Sequence, residues 1–212
     1  MNPKTVGLIL AEEVAAADLM GPAEVFSRAT IGTSDQPEAR EPRCYRVITI
    51  GISAEPCMTE CGIVVRPDVG LEEAPPLDTV FICSSRGFHS EKLNRKLLKW
   101  LKQRAPNTRR IAALGRGIYA LAATGLLDGR QGVIHWRFAK DVASRFPKLR
   151  VNPNNLFVKD GPFYTCAAGP RPLILRLLWL RKITVVMSRW PWRVNWLFTS
   201  RDQVNTNSTL KL

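Results

Sequence analysis

Short apolar runs with no helical period alternate along this chain with longer stretches whose apolar positions recur every three or four residues. "KTVGLIL" (Lys4 to Leu10), "YRVITIG" (Tyr45 to Gly51) and "TVFICSS" (Thr79 to Ser85) read as strands buried on both faces. "AAADLMGPAEVFSRA" sets Leu19, Val25 and Phe26 on one helical face, with Pro22 expected in a first turn that tolerates it. "SEKLNRKLLKWLKQRAP" (Ser90 to Pro106) is the clearest helix: Ser90 caps it, Leu93, Leu97, Leu98 and Leu101 form its stripe, and Pro106 lies beyond its end. "GIVVRPDVGLEEAPPLD" reads as a hairpin arm and a Pro-rich connection, and "GTSDQPEAREP" as a loop. "GVIHWRFAKDVASRFP" predicts a short strand, then a helix ending near Pro147. "NNLFVKDGPFYTCAAG" predicts two strands around Lys159-Asp160-Gly161. Alternating β and α elements with short connections predict an α/β fold, a doubly wound, mostly parallel sheet flanked by helices.

"RRIAALGRGIYALAATGLLDGR" (Arg109 to Arg130) is a strand, a glycine-flanked corner and a helix. That is the shape of a nucleophile elbow, which raises one reactive side chain above the carboxyl edge of a sheet, where ligands of such folds lie. The corner residue is Gly115, which has no side chain to ionise. What remains is a helix start with free N–H groups beside Arg116, a combination suited to a carboxylate or phosphate. The plainer alternative is that Arg116 points to solvent or pairs with a local acid. Asp18 is open in the same way, as a pocket acid paired with Arg116 or as a first-turn helix acid.

Composition narrows the classes. The 212 residues suit one α/β domain, and 45% apolar with 23% charged content is that of a folded protein. "TVGLILA" is too short for a signal-peptide core and runs into Glu12 and Glu13. "LILRLLWL" is broken by Arg176, so a membrane span is not expected and the cytoplasm is. Cys44, Cys57, Cys61, Cys83 and Cys166 are odd in number and scattered, which fits a reducing compartment. Cys57 and Cys61 have no paired histidines at metal-site spacing, so no metal is expected. Of the net charge of +13, residues 170–212 hold +7, with eight Lys/Arg against Asp202 alone, and they hold four of the six tryptophans.

Five stretches carry a resemblance: "GLILAEEVAAADLMGPAEVF", "EAPPLDTVFI", "RIAALGRGIYALAATGLLDGR", "VIHWRFAKDVASRFP" and "LFVKDGPFYTCAAG". In this order they resemble the ThiJ/PfpI family, of flavodoxin-like, class I glutamine amidotransferase-like fold. They are most similar to the N-terminal domain of GlxA-type regulators of the AraC family. The resemblance implies a family cysteine where Gly115 stands, a supporting acid at Asp18, and a His-Trp pair at His135. Cys83-Ser84-Ser85 replaces the family's Pro-Gly-Gly turn, whose amides serve an oxyanion hole. It therefore implies a non-catalytic, ligand-sensing domain without cofactor. Asp18, Ser84, Gly115, Arg116 and His135 would lie around a small effector, an anion being the one Arg116 suits. Homodimers are a family habit, and DNA would be bound only by a helix-turn-helix domain that these residues lack. The alternative is an enzyme of the same fold, an isocyanide hydratase, amidase or deglycase, using Cys83 or Cys166. As inert buried thiols the two would need no role.

The resemblance covers residues 1–169. After it comes a basic, Trp-rich tail (170–212), where the family carries an acidic amphipathic helix. Taken as written, the tail suggests a nucleic-acid or membrane-surface element. The genetic code offers another reading, because Trp and Met have single codons. In the frame one base earlier, Trp190-Pro191 forces Ala and Asn195-Trp196 forces Leu. With permissible codons elsewhere, Ile174 to Leu197 becomes "DLAFALVEEDYGRDVAMAVARELA". The expectation is a frameshift before residue 173, with the chain ending where a regulator's linker would begin.

Overall fold

The apolar run Lys4–Leu10 forms β1, and its place in the sheet decides the rest. In this computed structural model, residues 2–27, 29, 43–89 and 95–167 are described. β1 pairs in parallel with β2 (Tyr45–Gly51) on one side and β6 (Thr79–Ile82) on the other. Beyond β2 lies β5 (Val69–Gly70); beyond β6 lie β7 (Arg110–Leu114), β11 (Phe163–Cys166) and β10 (Phe157–Asp160). The seven-stranded order is β10-β11-β7-β6-β1-β2-β5, and only β10 runs antiparallel to its neighbour. This is the mostly parallel, doubly wound sheet expected from the sequence.

Burial on both faces explains the unbroken apolar runs. Val6, Leu8 and Leu10 pack with Leu19 and Phe26 of α1 (Ala16–Ser27) on one face. Ile9 faces the other side, with Leu97 and Leu101 of α2 (Arg95–Arg104), Ile118 and Leu121 of α3 (Gly117–Ala123), and Val142 of α4 (Trp136–Arg145). Of the described helices, α1 alone occupies the first face. The expected hairpin forms from β3 (Cys57–Met58) and β4 (Val64–Val65). A small parallel pair joins β8 (Gln131–Gly132) to β9 (Arg150–Val151).

Several boundaries differ from the sequence reading. β6 stops at Ile82, and Cys83 to Ser85 turn away to form part of the carboxyl edge. β8 ends at Gly132, because the Val133 amide donates to Thr165 Oγ1 (2.9 Å) and leaves the strand pairing. Pro22 lies past the first turn, inside α1. A proline there leaves the carbonyl four residues earlier without its helical donor. That carbonyl belongs to Asp18, and the buried Cys83 thiol donates to it at 3.4 Å. The Ser90 cap, the loop at 32–42 and the tail at 170–212 lie outside the described residues.

Leu101 is 1% exposed between α2 and the sheet. Leu101→Ala is expected to lower unfolding free energy by about 2–4 kcal/mol in urea denaturation, through lost burial plus a residual cavity.

Candidate functional site at the elbow

The helices that follow β1 and β6 leave toward opposite faces of the sheet, α1 to one and α2 to the other. Such a divergence of neighbouring strands opens a crevice at their carboxyl ends. Three segments meet there. The β1–α1 loop is pinned through Val14, which bridges both Thr59 of the hairpin and Ser85. The Ala15 amide donates to Ser84 O (2.8 Å), the Glu60 amide to Val14 O (3.0 Å), and the Ser85 hydroxyl to Glu12 O (2.5 Å). Glu13, with φ of 54°, takes the left-handed conformation within this loop.

β7 delivers the corner. Gly115 has φ of 47°, a region glycine enters without the steric penalty of other residues, and its amide donates to Cys166 O of β11 (3.1 Å). A Cβ built on it would lie 3.0 Å from Ser84 Oγ and 3.9 Å from Asp18 Oδ2. A side chain mounted on this corner would therefore emerge between Ser84 and Asp18. Two residues on, a Cβ at Gly117 would meet the Ile82 carbonyl at 2.3 Å, so α3 can start here only with glycine. The pair of glycines in "GRG" thus serves two needs: a left-handed turn and a close backbone approach.

Asp18 is 5% exposed, and its Oδ2 accepts the Ser84 amide (3.3 Å). Burial is the main reason its carboxyl is pushed up to about 6. Nearby Glu60 adds to the rise, while the Ser84 amide and Arg116 oppose it. Its proton is thus held to about pH 6, well above the ordinary carboxylate range, so that the group changes between donor and acceptor just below neutrality.

Arg116 follows the plainer of its two sequence readings. Its Nη2 is ion-paired with Glu60 on the hairpin, and its amide (3.2 Å) and Nε (3.5 Å) both donate to Ser84 Oγ. Arg86 approaches the same Glu60 carboxylate (3.9 Å). The Asp18–Arg116 pair does not form, and the expected free helix start is a seven-residue helix whose Arg116 amide is already engaged. Glu60 is the residue sequence reasoning missed. It lies 56 positions before Arg116, in the connection between β3 and β4, and no spacing links the two.

His135 is not in a strand and is not joined to Asp18, Ser84 or Arg116 by any hydrogen bond. It caps α4, its Nδ1 accepting the Arg137 amide (3.3 Å), and its ring lies against Trp136 and Phe138. Cys83 and Cys166 are both fully buried, and burial drives the Cys83 thiol far above its usual range. The exposed thiol is Cys61 on the hairpin. The Thr59 hydroxyl, 3.2 Å from its sulfur, is the main influence holding its pKa down. Among the described residues no group of three or more His, Cys, Asp or Glu side chains is placed to hold a metal ion, and no helix is long and apolar enough to cross a membrane.

A model of the DJ-1/PfpI family matches residues 4–177. The HTH-type transcriptional regulator GbdR of Pseudomonas aeruginosa is 28% identical over 176 residues, which are 83% of this chain and 46% of that protein. The HTH-type transcriptional regulator GlxA of Rhizobium meliloti is 45% identical over 65 residues, 30% of this chain and 19% of that protein. The chain thus spans less than half the length of these curated relatives. Among solved structures, an AraC family transcriptional regulator from Pseudomonas putida superposes with a TM-score of 0.67 at 19% identity, covering 83% of this chain and 91% of that one.

Two outcomes follow from the corner. Gly115→Ala is expected to lose about 1–2 kcal/mol of stability in urea denaturation, because alanine must adopt a positive φ against Ser84. Asp18 keeps its proton to about pH 6 in the folded chain, whereas an unfolded carboxyl releases it near pH 4. The stability this proton lends is full below about pH 4 and lost as pH rises through about 6, a change of about 2–3 kcal/mol. Asp18→Asn should therefore gain stability relative to the parent between pH 4 and pH 8 in parallel thermal melts. A pH-independent difference would rule out the buried, proton-holding carboxyl.

Proposed function

Since the chain belongs to the DJ-1/PfpI family, we propose that it is a ligand-sensing domain of a GlxA-type, AraC-family transcriptional regulator that carries out no thiol catalysis. The observation that carries this reading is Gly115. The corner aims at Ser84 and Asp18 as a nucleophile mount would, and it bears nothing to react. Of the two alternative thiols, Cys83 has a packing role: it supplies the donor that Pro22 denies to the Asp18 carbonyl.

The effector is a small hydrogen-bonding molecule seated over Gly115, contacting Asp18 and the Ser84 hydroxyl. An anionic group on it would compete with Glu60 for Arg116, so binding would loosen the hairpin latch that holds the two together. Movement of that hairpin is the signal such a sensor would pass on. DNA contacts belong to a helix-turn-helix domain outside these 212 residues, and the working place is the cytoplasm. The regulator relatives support the sensing role.

A thiol-reactive probe at pH 7 is expected to modify Cys61 and leave Cys83 and Cys166 untouched in the folded chain, with no hydration of an added isonitrile. Saturable labelling of Cys83 or Cys166 together with turnover would instead favour an enzyme with a displaced nucleophile.

A further inference from the structure

Away from the elbow, a cavity of about 490 Å³ lies outside the carboxyl ends of β2 and the edge strand β5. Its volume is within the range of small-molecule sites. None of Asp18, Ser84, Gly115 and Arg116 borders it. One wall is α2, which presents Lys96, Lys99 and Trp100; another is the turn after β5, with Leu71, Glu72 and Glu73. Leu97 and Leu101 hold α2 to the sheet. Lys96, Lys99 and Trp100 are spaced three and four apart, which brings them together on an adjoining side of the helix. Leu71 and Trp100 are buried, whereas the four charged residues are exposed.

The walls are held in place, and their polar groups are left unused. Arg104, which donates to the Ala74 and Pro75 carbonyls, lies 5.4 Å from the Trp100 ring centroid and steadies the indole. The Glu73 carboxylate folds back over the strand end, its Oε2 only 2.6 Å from where a Cβ on Gly70 would stand. Among the described residues, Lys99, Glu72 and Glu73 make no hydrogen bond or ion pair. The Trp100 indole N–H is sealed from solvent and has no acceptor, although buried donors of this kind are satisfied in most folded proteins.

Charges of both signs on separate walls, with buried apolar surface between them, match a molecule that carries both signs itself. An anion alone would meet the glutamates, and a cation alone would meet the lysines. Because the two signs come from different elements, a ligand with charges at its two ends suits the cavity better than an α-amino acid, which carries both on one carbon. We infer that the cavity is a binding site for a short apolar peptide with free amine and carboxylate ends. The carboxylate pairs with Lys99, the amine with Glu72 and Glu73, and the apolar body covers Leu71 and Trp100. The peptide's carbonyl oxygens are acceptors of the kind that the indole N–H lacks. The inference does not depend on what binds at the elbow.

Isothermal titration of leucyl-leucine into the full chain, shown to be folded by circular dichroism, tests it. Saturable binding is expected with a Kd of about 1 mM or tighter. The indole N–H resonance of Trp100, assigned through Trp100→Phe, should shift as the site fills. Lys99→Gln, and Glu72→Gln combined with Glu73→Gln, are each expected to weaken binding at least about fivefold, as are acetylating the peptide's amine and amidating its carboxylate. No saturable binding, equal affinity for both blocked peptides, or an unmoved Trp100 resonance overturns the inference. Binding lost in Asp18→Asn but kept in Lys99→Gln would put the peptide at the elbow and overturn it equally.

Discussion

The close approach of the β7–α3 corner to the loop after β6 is the constraint on which the carboxyl edge depends. Gly117 lets the first turn of α3 rest on the Ile82 carbonyl, and Gly115 turns the chain at positive φ just before it. With the corner there, Ser84 is fixed by Arg116 above and by Ala15 below, and the Ser84 amide in turn fixes Asp18. A larger residue at Gly117 would push α3 off β6 and dismantle the whole contact set. The glycine at 115 has a different standing: the fold tolerates a side chain there only with strain, at a positive φ and in tight contact with Ser84.

Charge is distributed around the corner in a particular order. Asp18 is the most buried of these groups and holds its proton to about pH 6. Arg116 is less buried and already neutralised by Glu60, whose carboxylate the more exposed Arg86 also approaches. Under the proposed function a ligand would meet a hydroxyl and a buried carboxyl with no free charge at the rim, because Arg116 is already paired. Reaching the guanidinium requires opening an ion pair between two different segments, which under the proposed function would couple occupancy to hairpin position.

The fold was legible because its signals were strong and local. Apolar runs without period gave the parallel strands, and the stripe of Leu97, Leu98 and Leu101 gave α2. Gly115 and Asp18 could also be found, since strand-corner-helix punctuation and the start of the first helix are sequence features. What escaped was long-range pairing. Nothing along the chain says that Arg116 reaches back to Glu60, or that Asp18 takes the Ser84 amide instead of the arginine. His135 was misplaced because two apolar residues before it read as strand, while Thr165 draws the Val133 amide out of the ladder. Pro22 was assigned to a first turn for want of the helix boundary, which hid the reason for a buried thiol at Cys83.

The central claim is that the corner is a nucleophile mount without its nucleophile. Gly115→Cys tests it directly, by the rate of alkylation at pH 6 in a chain shown to be folded. The mount would place the new sulfur beside the Asp18 carboxyl, which burial keeps partly protonated at that pH and which in its protonated form can donate to a thiolate. The account expects this thiol to react at pH 6 at least about tenfold faster than Cys61, the exposed native thiol of the same chain. A folded variant whose thiol at position 115 reacts no faster than Cys61 would contradict it.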